Sequence, residues 1–491
     1  MNKPLKKPTK TISGVAPVAV MIPPAPCPHG ACLFCPTLNA PQSYTPESPA
    51  VLRAKSLAYD PYRQTKTRIK MLREMGHPVD KIELIIMGGT FLSLPKDFQF
   101  WFIKRCYDAM NDSKSLNTKQ TQEMLNAILK IKKEGVTNLE KDKVSTEFKK
   151  SLRIAKTKNE DARYRCVALC IETRPDYCSN SHIKDLLEFG ATRVELGVQA
   201  IDDKIYELVN RGHKVSDVVE ATARLKESGF KVGYHLMPGI YGSNPKKDMK
   251  MFKKIFRSQK YKPDQIKIYP CQVLKGSELE KMYWKGKYNP YEKPQVASLI
   301  INMLKLTPRY CRIMRILREI PLAYLTCGIK HIDMRKDIEE DLRNQNKRDK
   351  IKEIRFREIG FAVRDKRKIN TSLRLKTTKY KASEGTEYFL EIINDDDILF
   401  GLLRLRLGKN NKTATIRELH VYGPALKLGD EGKLGQHRGL GKQLIKTAEN
   451  IARKKSKNKL RIISGVGVRQ YYKKLGYKID KNNIYVEKKL G

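Results

Sequence analysis

The chain has 491 residues and carries 98 lysines and arginines against 53 acidic residues, a formal net charge of +45. With 40% hydrophobic residues it holds apolar material for more than one core, which excludes global disorder. No run reaches the ~18 apolar residues that a membrane span needs. The opening MNKPLKKPTK, with a proline-broken apolar stretch behind it, reads as neither a signal nor a transit peptide. The expectation is a cytoplasmic protein with no membrane partner. Lysine enrichment of the heat-adapted kind brings matching glutamate. Here the acids lag, so the surplus points to a polyanion, nucleic acid first, without separating DNA from RNA.

In chain order, a basic arm (Lys3, Lys6, Lys7, Lys10) leads to CPHGACLFC, which holds Cys27, Cys32 and Cys35 in a C-x4-C-x2-C array. The other seven of the ten cysteines are scattered. An intracellular chain of this size needs no disulfides, so a tight trio reads as a metal site. Zinc would want a fourth ligand, and His29 stands too close to Cys27 to serve easily. A 2Fe–2S centre would want a distant fourth cysteine. The third choice is a 4Fe–4S cluster on three thiolates with one iron left open.

Arg53, Lys55, Arg63, Lys66, Arg68 and Lys70 follow on a helix-forming stretch and suit phosphate contacts. Then come short β-branched runs: KIELIIMGGTF (81–91), RCVALCIETRPD (165–176), TRVELGVQ (192–199), KVGYHLMPGI (231–240) and QIKIYPCQ (265–272). Helical stretches lie between them, such as SDVVEATARLKESG at 216–229 with its glycine stop. Near-continuous apolar strands alternating with helices predict parallel βα units, a full or partial barrel. Active sites of such barrels collect at the carboxyl ends of the strands. There stand Gly88, Gly89 and Thr90, then Glu172, Thr173 and Arg174, then Glu195 and Gln199.

From about residue 340 the chain changes. DMRKDIEEDLRNQNKRDKIKEIRFREIG is dense in charge and reads as a solvated helix and connector. EYFLEIIND and ILFGLLRLRLG predict a hairpin about Asp395–Asp397, and TATIRELHVYG (413–423) a further strand. A glycine-rich turn, Gln436-x-x-Gly439-Leu440-Gly441, then opens a helix. Backbone N–H groups at such a turn make an anion site suited to a pyrophosphate, although both the Rossmann and the Walker spacings are absent. RIISGVGV reads as a strand and RQYYKKLGY as a short helix.

The cysteine trio ahead of βα units, with GGTF closing the next strand, resembles the radical S-adenosylmethionine (radical SAM) superfamily. That resemblance implies a 4Fe–4S cluster on Cys27, Cys32 and Cys35. It also implies S-adenosylmethionine held at Gly88, Gly89 and Thr90, with Glu195 and Gln199 toward its ribose and adenine. The C-terminal third resembles the GNAT acetyltransferase fold. This implies acetyl-CoA with its pyrophosphate on Gln436, Gly439, Leu440 and Gly441, and its pantetheine arm along Glu418, Leu419, His420 and Val421. Tyr471 or Tyr472 would then stand beside the thioester. The fused pair is similar to the Elp3 family, the catalytic subunits of Elongator and their archaeal stand-alone forms. Matching stretches include QSYTPESPAVLRA, ELGVQ, NRGHKVSDVVEAT, GYHLMPG and RELHVYG.

The resemblance implies an α/β chain with four regions. These are a basic tRNA-binding and cluster-loop region (1–75), a radical SAM partial barrel (76–340), a connector (341–375) and a GNAT domain (376–491). It implies carboxymethylation of the wobble uridine of tRNA, drawing on acetyl-CoA and a 5′-deoxyadenosyl radical. Lys81 matches a family lysine near acetyl-CoA. The partner is the anticodon stem-loop, with a homodimer or Elongator-like accessory subunits left open. Structural zinc, known in some relatives, would have to draw on Cys271, Cys311, Cys327 and His331, whose spacing forms no zinc motif. The alternatives are a protein lysine acetyltransferase with a structural cluster, using Glu418 or a tyrosine as acid–base group, and a catalytically silent tRNA-binding scaffold.

Overall fold

The computed structural model describes residues 6–113, 118–134, 144–330, 333–344, 350–408, 412–423 and 439–491. Lys3, His331 and Gln436 lie outside the described residues.

The first layer is a parallel sheet. Its strands are β1 (Ala16–Met21), β2 (Lys81–Met87), β3 (Arg165–Thr173), β4 (Arg193–Gln199), β5 (Lys231–Leu236), β6 (Gln265–Ile268) and β8 (Arg312–Ile316). They pair in the order β1-β2-β3-β4-β5-β6-β8, each neighbour parallel. A two-stranded ribbon, β7 (Val273–Leu274) with β9 (Leu325–Cys327), stands beside it. β1 is the strand that the sequence pattern hid. Its residues are the proline-broken stretch ahead of the cysteines, and Val18 and Val20 are buried against β2. The strands predicted at 81–91, 165–176 and 231–240 end at Met87, Thr173 and Leu236, and the polar and glycine residues beyond them form loops. The helix Val215–Glu227 fills the predicted 216–229 stretch, with Gly229 beyond it at φ 95°. Its buried Val218, Ala221 and Leu225 recur at helical spacing.

The second layer is a mixed sheet, β10 (Arg374–Ala382), β11 (Gly385–Ile393), β12 (Leu399–Leu407), β13 (Thr413–Val421), β14 (Lys459–Ile463), β15 (Lys478–Ile479) and β16 (Tyr485–Lys489). Its order is β10-β11-β12-β13-β14-β16-β15, and only β13 with β14 is parallel. The predicted hairpin is β11–β12; the preceding β10 extends it. β12 is buried along its whole length. The helix Leu440–Lys454 covers this sheet with Leu444, Ile445, Ala448 and Ala452.

The charge-rich stretch from 333 differs from its sequence reading. Met334–Asn344 is a helix, but the segment behind it is interior: Ile351, Ile354, Ile359, Glu353 and Glu358 are all buried. Glu358 pairs with Arg312 (2.5 Å), and Glu353 accepts from the Ile313 N–H (2.9 Å) and pairs with Arg335 (3.1 Å). Charge density reads as solvation only until a complementary partner removes the cost of burial, and here Arg312 of β8 and Arg335 of the helix just before supply it.

A buried ionic hub clamps the two layers together. Asp264, beside β6, receives two hydrogen bonds from Arg417 of β13 (2.8 and 2.7 Å) and lies 3.4 Å from Lys226. Arg417 also pairs with Glu387. Asp264, Arg417 and Lys226 have fully buried side chains. Burial alone would raise the Asp264 pKa, but Arg417 and Lys226 overrule it and hold the carboxyl well below its usual range; Glu387 is lowered in the same way. Carboxyls depressed in the folded state stabilise above their unfolded values near about 4, and that stability is lost as pH falls through the folded values. These carboxyls should therefore hold the contact between the layers at neutral pH, and it should begin to fail only as pH falls below about 4. Far-UV circular dichroism and hydrodynamic radius across an acid titration would show this; loss of the clamp already near pH 6 would contradict it.

Candidate functional site

The carboxyl ends of the strands enclose a cavity of about 100 Å³. Cys27, Cys32 and Cys35 line it with Gly89, Thr90, Gln199 and Arg211. Two glycines shape the cysteine loop's surroundings. Gly88 (φ 122°) turns the chain off β2 where a Cβ would stand 2.8 Å from Met21 Sδ and 2.9 Å from Ile22 Cγ1. Gly212 (φ 69°) admits His29, whose Cβ lies 2.5 Å from where a side chain would begin. Gly88 thus packs behind the cavity, while Gly89 and Thr90 face it.

Charge around the sulfurs is set by Arg211, which is buried and donates to Cys32 Sγ (3.5 Å). His29 Nε2 lies 3.2 Å from the same sulfur. A hydrogen bond from Cys35 and the Arg211 guanidinium lower the Cys32 thiol, and that same bond and burial raise Cys35. Burial raises Cys27. The sulfurs do not converge as ligands of one ion would. Among the described residues, only Glu172, Glu195 and His235 offer three such donor atoms within 4.8 Å of one another. Three spread thiolate donors fit a polynuclear cluster better than a single zinc ion. Cavity-lining polar atoms also lack partners, among them Gln199 Oε1, Gln42 Nε2, Thr173 Oγ1 and Arg174 Nη1. Buried polar groups are nearly always satisfied, so this set fits a polar ligand carrying both donors and acceptors.

Glu195 differs from Gln199. Its Oε1 accepts from Gln265 (2.9 Å) and pairs with Arg193 (3.3 Å), while its Oε2 accepts from His235 (2.8 Å) and pairs with Lys267. Both oxygens are engaged, so Glu195 organises the cavity floor and Gln199 keeps an acceptor open. Lys267, also paired with Glu172 (2.9 Å), stands among the three donor atoms that could otherwise have gathered a cation.

A second cavity, about 670 Å³, lies at the opposite, amino ends of the same strands, against the mixed sheet. β13 and β14 pair from Thr413 to Ile416 and then part. Into the gap face Glu418, Leu419, His420 and Val421 on one side and Ile463, Ser464 and Gly465 on the other. Gly439 (φ 73°), Leu440 and Gly441 at the helix start, Tyr471 and Tyr472, and Lys81 complete the lining. A Cβ at Gly441 would stand 2.7 Å from Tyr471 Oη. Tyr472 is buried, and Tyr471 is the more exposed of the pair. His420 donates to the Ser13 carbonyl (2.8 Å) and stacks on Tyr422. Glu418 pairs with Lys231 and with Arg404 (2.6 Å), and these cations hold its carboxyl at about 2 despite its burial.

One ionic layer separates the cavities. Arg193 lines the second and Glu195 the first, two residues apart on β4, about 7 Å. Arg193 also pairs with Glu83. Sequence reasoning missed Arg193, Lys231 and Arg211, although Arg211 stood in the quoted NRGHK stretch and offered a signal. The zinc candidates are not gathered among the described residues: Cys271 packs beside Tyr288, Cys311 beside Arg404 and Asp264, and Cys327 beside Tyr283. Cys271 follows the carboxyl end of β6, Cys311 precedes the amino end of β8, and Cys327 ends β9. No helix among the described residues is long and apolar enough to cross a membrane.

Comparison with known proteins agrees with this layout. The family described as the Radical SAM superfamily matches residues 21–255, and the Radical_SAM C-terminal domain matches 263–344. The chain is 46% identical to the tRNA uridine(34) acetyltransferase of Dehalococcoides mccartyi, over 97% of this chain and 98% of that one. It is 34% identical to human Elongator complex protein 3, over 98% of this chain and 85% of that one. The archaeal Methanocaldococcus infernus Elp3 with an N-terminal deletion superposes with a TM-score of 0.79 at 39% identity, covering 98% of this chain and all of that one. A radical SAM half-barrel fused to a mixed-sheet domain, with near full-length identity to these proteins, makes the chain a member of the Elp3 family.

Proposed function

We propose that the protein carboxymethylates the wobble uridine of tRNA, using S-adenosylmethionine in the smaller cavity and acetyl-CoA in the larger. The observation that carries this reading is the placement of both cavities on β2, β3, β4 and β5, divided by the Arg193–Glu195 layer. The relatives named tRNA uridine(34) acetyltransferase support the substrate. The surplus of basic residues favours a polyanion and predicts salt-dependent binding.

On this reading Cys27, Cys32 and Cys35 hold a 4Fe–4S cluster, and Arg211 balances the thiolate charge at Cys32. Such a cluster with S-adenosylmethionine supplies a 5′-deoxyadenosyl radical, the chemistry that an unactivated methyl group requires. Gly89, Thr90, Gln199 and Thr173 bind the nucleoside and amino-acid ends of that cofactor, and Glu195 fixes the floor beneath them. In the larger cavity the N–H groups at Gly439–Gly441 take pyrophosphate, and the edge of Glu418–Val421 takes the pantetheine arm. Tyr471 and Lys81 face the acyl end. Arg193, paired with Glu83 and Glu195, stands between the two cavities, where it would border the acyl end of acetyl-CoA.

The state of Glu418 argues against the form of the lysine acetyltransferase reading in which it is the base. A carboxylate held at about 2 is too weak a base to take a proton from an ammonium near neutral pH. The acyl step should therefore show no limb belonging to Glu418 between about pH 5 and 7. A limb in that range that vanishes in Glu418→Gln would overturn this assignment.

The whole reading is tested by anaerobic incubation of reconstituted protein with reductant, S-adenosylmethionine, acetyl-CoA and tRNA. The expected products are 5′-deoxyadenosine and a carboxymethyl mass gain on the wobble uridine. Acetylation of a peptide lysine without cleavage of S-adenosylmethionine would overturn it.

A further inference from the structure

The chain has two tryptophans. Trp101 is buried in the core at 1% exposure, whereas Trp284 is 70% exposed. Trp284 ends the helix Glu278–Trp284, and this helix is hydrogen-bonded to the loop that carries the cysteines. The Leu279 N–H donates to the Leu33 carbonyl of the cysteine loop (2.8 Å), and Thr37 donates to Gly276 (3.0 Å). Just beyond Trp284 the chain returns to the carboxyl end of β5, where Tyr288 donates to the Gly239 carbonyl (2.7 Å). The helix bearing Trp284 is thus held between the cysteine loop and the segment that follows β5.

Its indole packs edge-on to Tyr283 (5.0 Å between centroids). Exposed Lys281, Lys285 and Lys287 flank it. Leu322, on the turn that leads into β9, is 61% exposed. The ribbon carrying that turn meets the same helix, since Thr326 donates to Glu280 (2.6 Å). Lys281 is tied to Glu278 (2.7 Å), which leaves Lys285 and Lys287 beside the exposed indole, the pattern of single-stranded RNA binding in which an aromatic face stacks a base and cations take the phosphates.

We propose that Trp284 stacks on an unpaired base of the anticodon loop next to the uridine entering the cysteine cavity, with Lys285 and Lys287 on the adjoining phosphates. This rests on the uridine-modifying reading and adds a positioning contact to it. The occupant is RNA because a lysine-flanked aromatic complements a base and its phosphate together.

The test uses the full-length protein and the emission of Trp284, the exposed member of the tryptophan pair. An anticodon stem-loop RNA should quench it, and a blunt duplex of the same stem should not. Trp284→Ala should weaken stem-loop binding about tenfold, and Trp284→Phe should restore most of it. Because stacking is not ionic, Trp284→Ala should leave the salt slope unchanged, whereas Lys285→Ala should lower it by about one. Equal binding by wild type and Trp284→Ala overturns this inference alone. Unchanged RNA binding with a shift from oligomer to monomer would mark the face as a protein interface and also overturn it. If the wild type binds neither RNA, the uridine reading falls as well.

Discussion

Cys32→Ala is expected to leave a folded chain that cannot assemble its iron–sulfur centre, with S-adenosylmethionine cleavage and uridine modification falling to background. Cys32 is the sulfur that Arg211 and His29 both approach, and its thiol is the one lowered toward thiolate. Metal binding requires deprotonated ligands, so this position should load most readily, while Cys27 and Cys35 release protons as they bind. Iron content and visible absorbance after anaerobic reconstitution read the loss directly. The larger cavity lies beyond the ionic layer at the other end of the strands, so acetyl-CoA affinity by calorimetry should be unchanged. A Cys32→Ala protein that still cleaves S-adenosylmethionine would refute the cluster assignment.

The second large effect is expected where the layers meet. Asp264→Ala removes the carboxylate shared by Arg417, Arg404 and Lys226; Arg417 keeps Glu387 and Arg404 keeps Glu418, but the buried Lys226 loses its ion-pair partner. Stranding a buried charge costs about 3–5 kcal/mol. Gly465→Ala attacks the same junction sterically, because a Cβ there would lie 2.0 Å from the Val167 carbonyl oxygen of β3. Backbone cannot yield as a flexible side chain does, so the sheets must separate. Both variants should lower the unfolding midpoint and weaken acetyl-CoA binding, since β13 and Gly465 wall that cavity. Asp264→Asn, which keeps shape and some hydrogen bonding, should be milder than Asp264→Ala. Loss of stability with unchanged acetyl-CoA affinity would show that the junction does not shape the cavity.

What was legible in the sequence was local. The C-x4-C-x2-C spacing put three thiols in one loop, strand–helix alternation gave a parallel sheet, and Gly439–Gly441 marked a helix start. Each of these is a periodicity or a short-range backbone demand that neighbouring residues carry by themselves. β1 stayed hidden because prolines mask its apolar pattern and β2 supplies its pairing. The buried segment after 350 read as solvated because Glu358 finds Arg312 of β8 and Glu353 finds the Ile313 N–H, both about 40 residues or more away in the chain.

Only the tertiary structure set the two cavities at opposite ends of shared strands with Arg193 between them, and only it used up both oxygens of Glu195 while leaving Gln199 an open acceptor. The physical reason is that ion pairing and hydrogen-bond satisfaction depend on which distant groups meet at contact distance. Composition and spacing carry the donors and acceptors but not their partners.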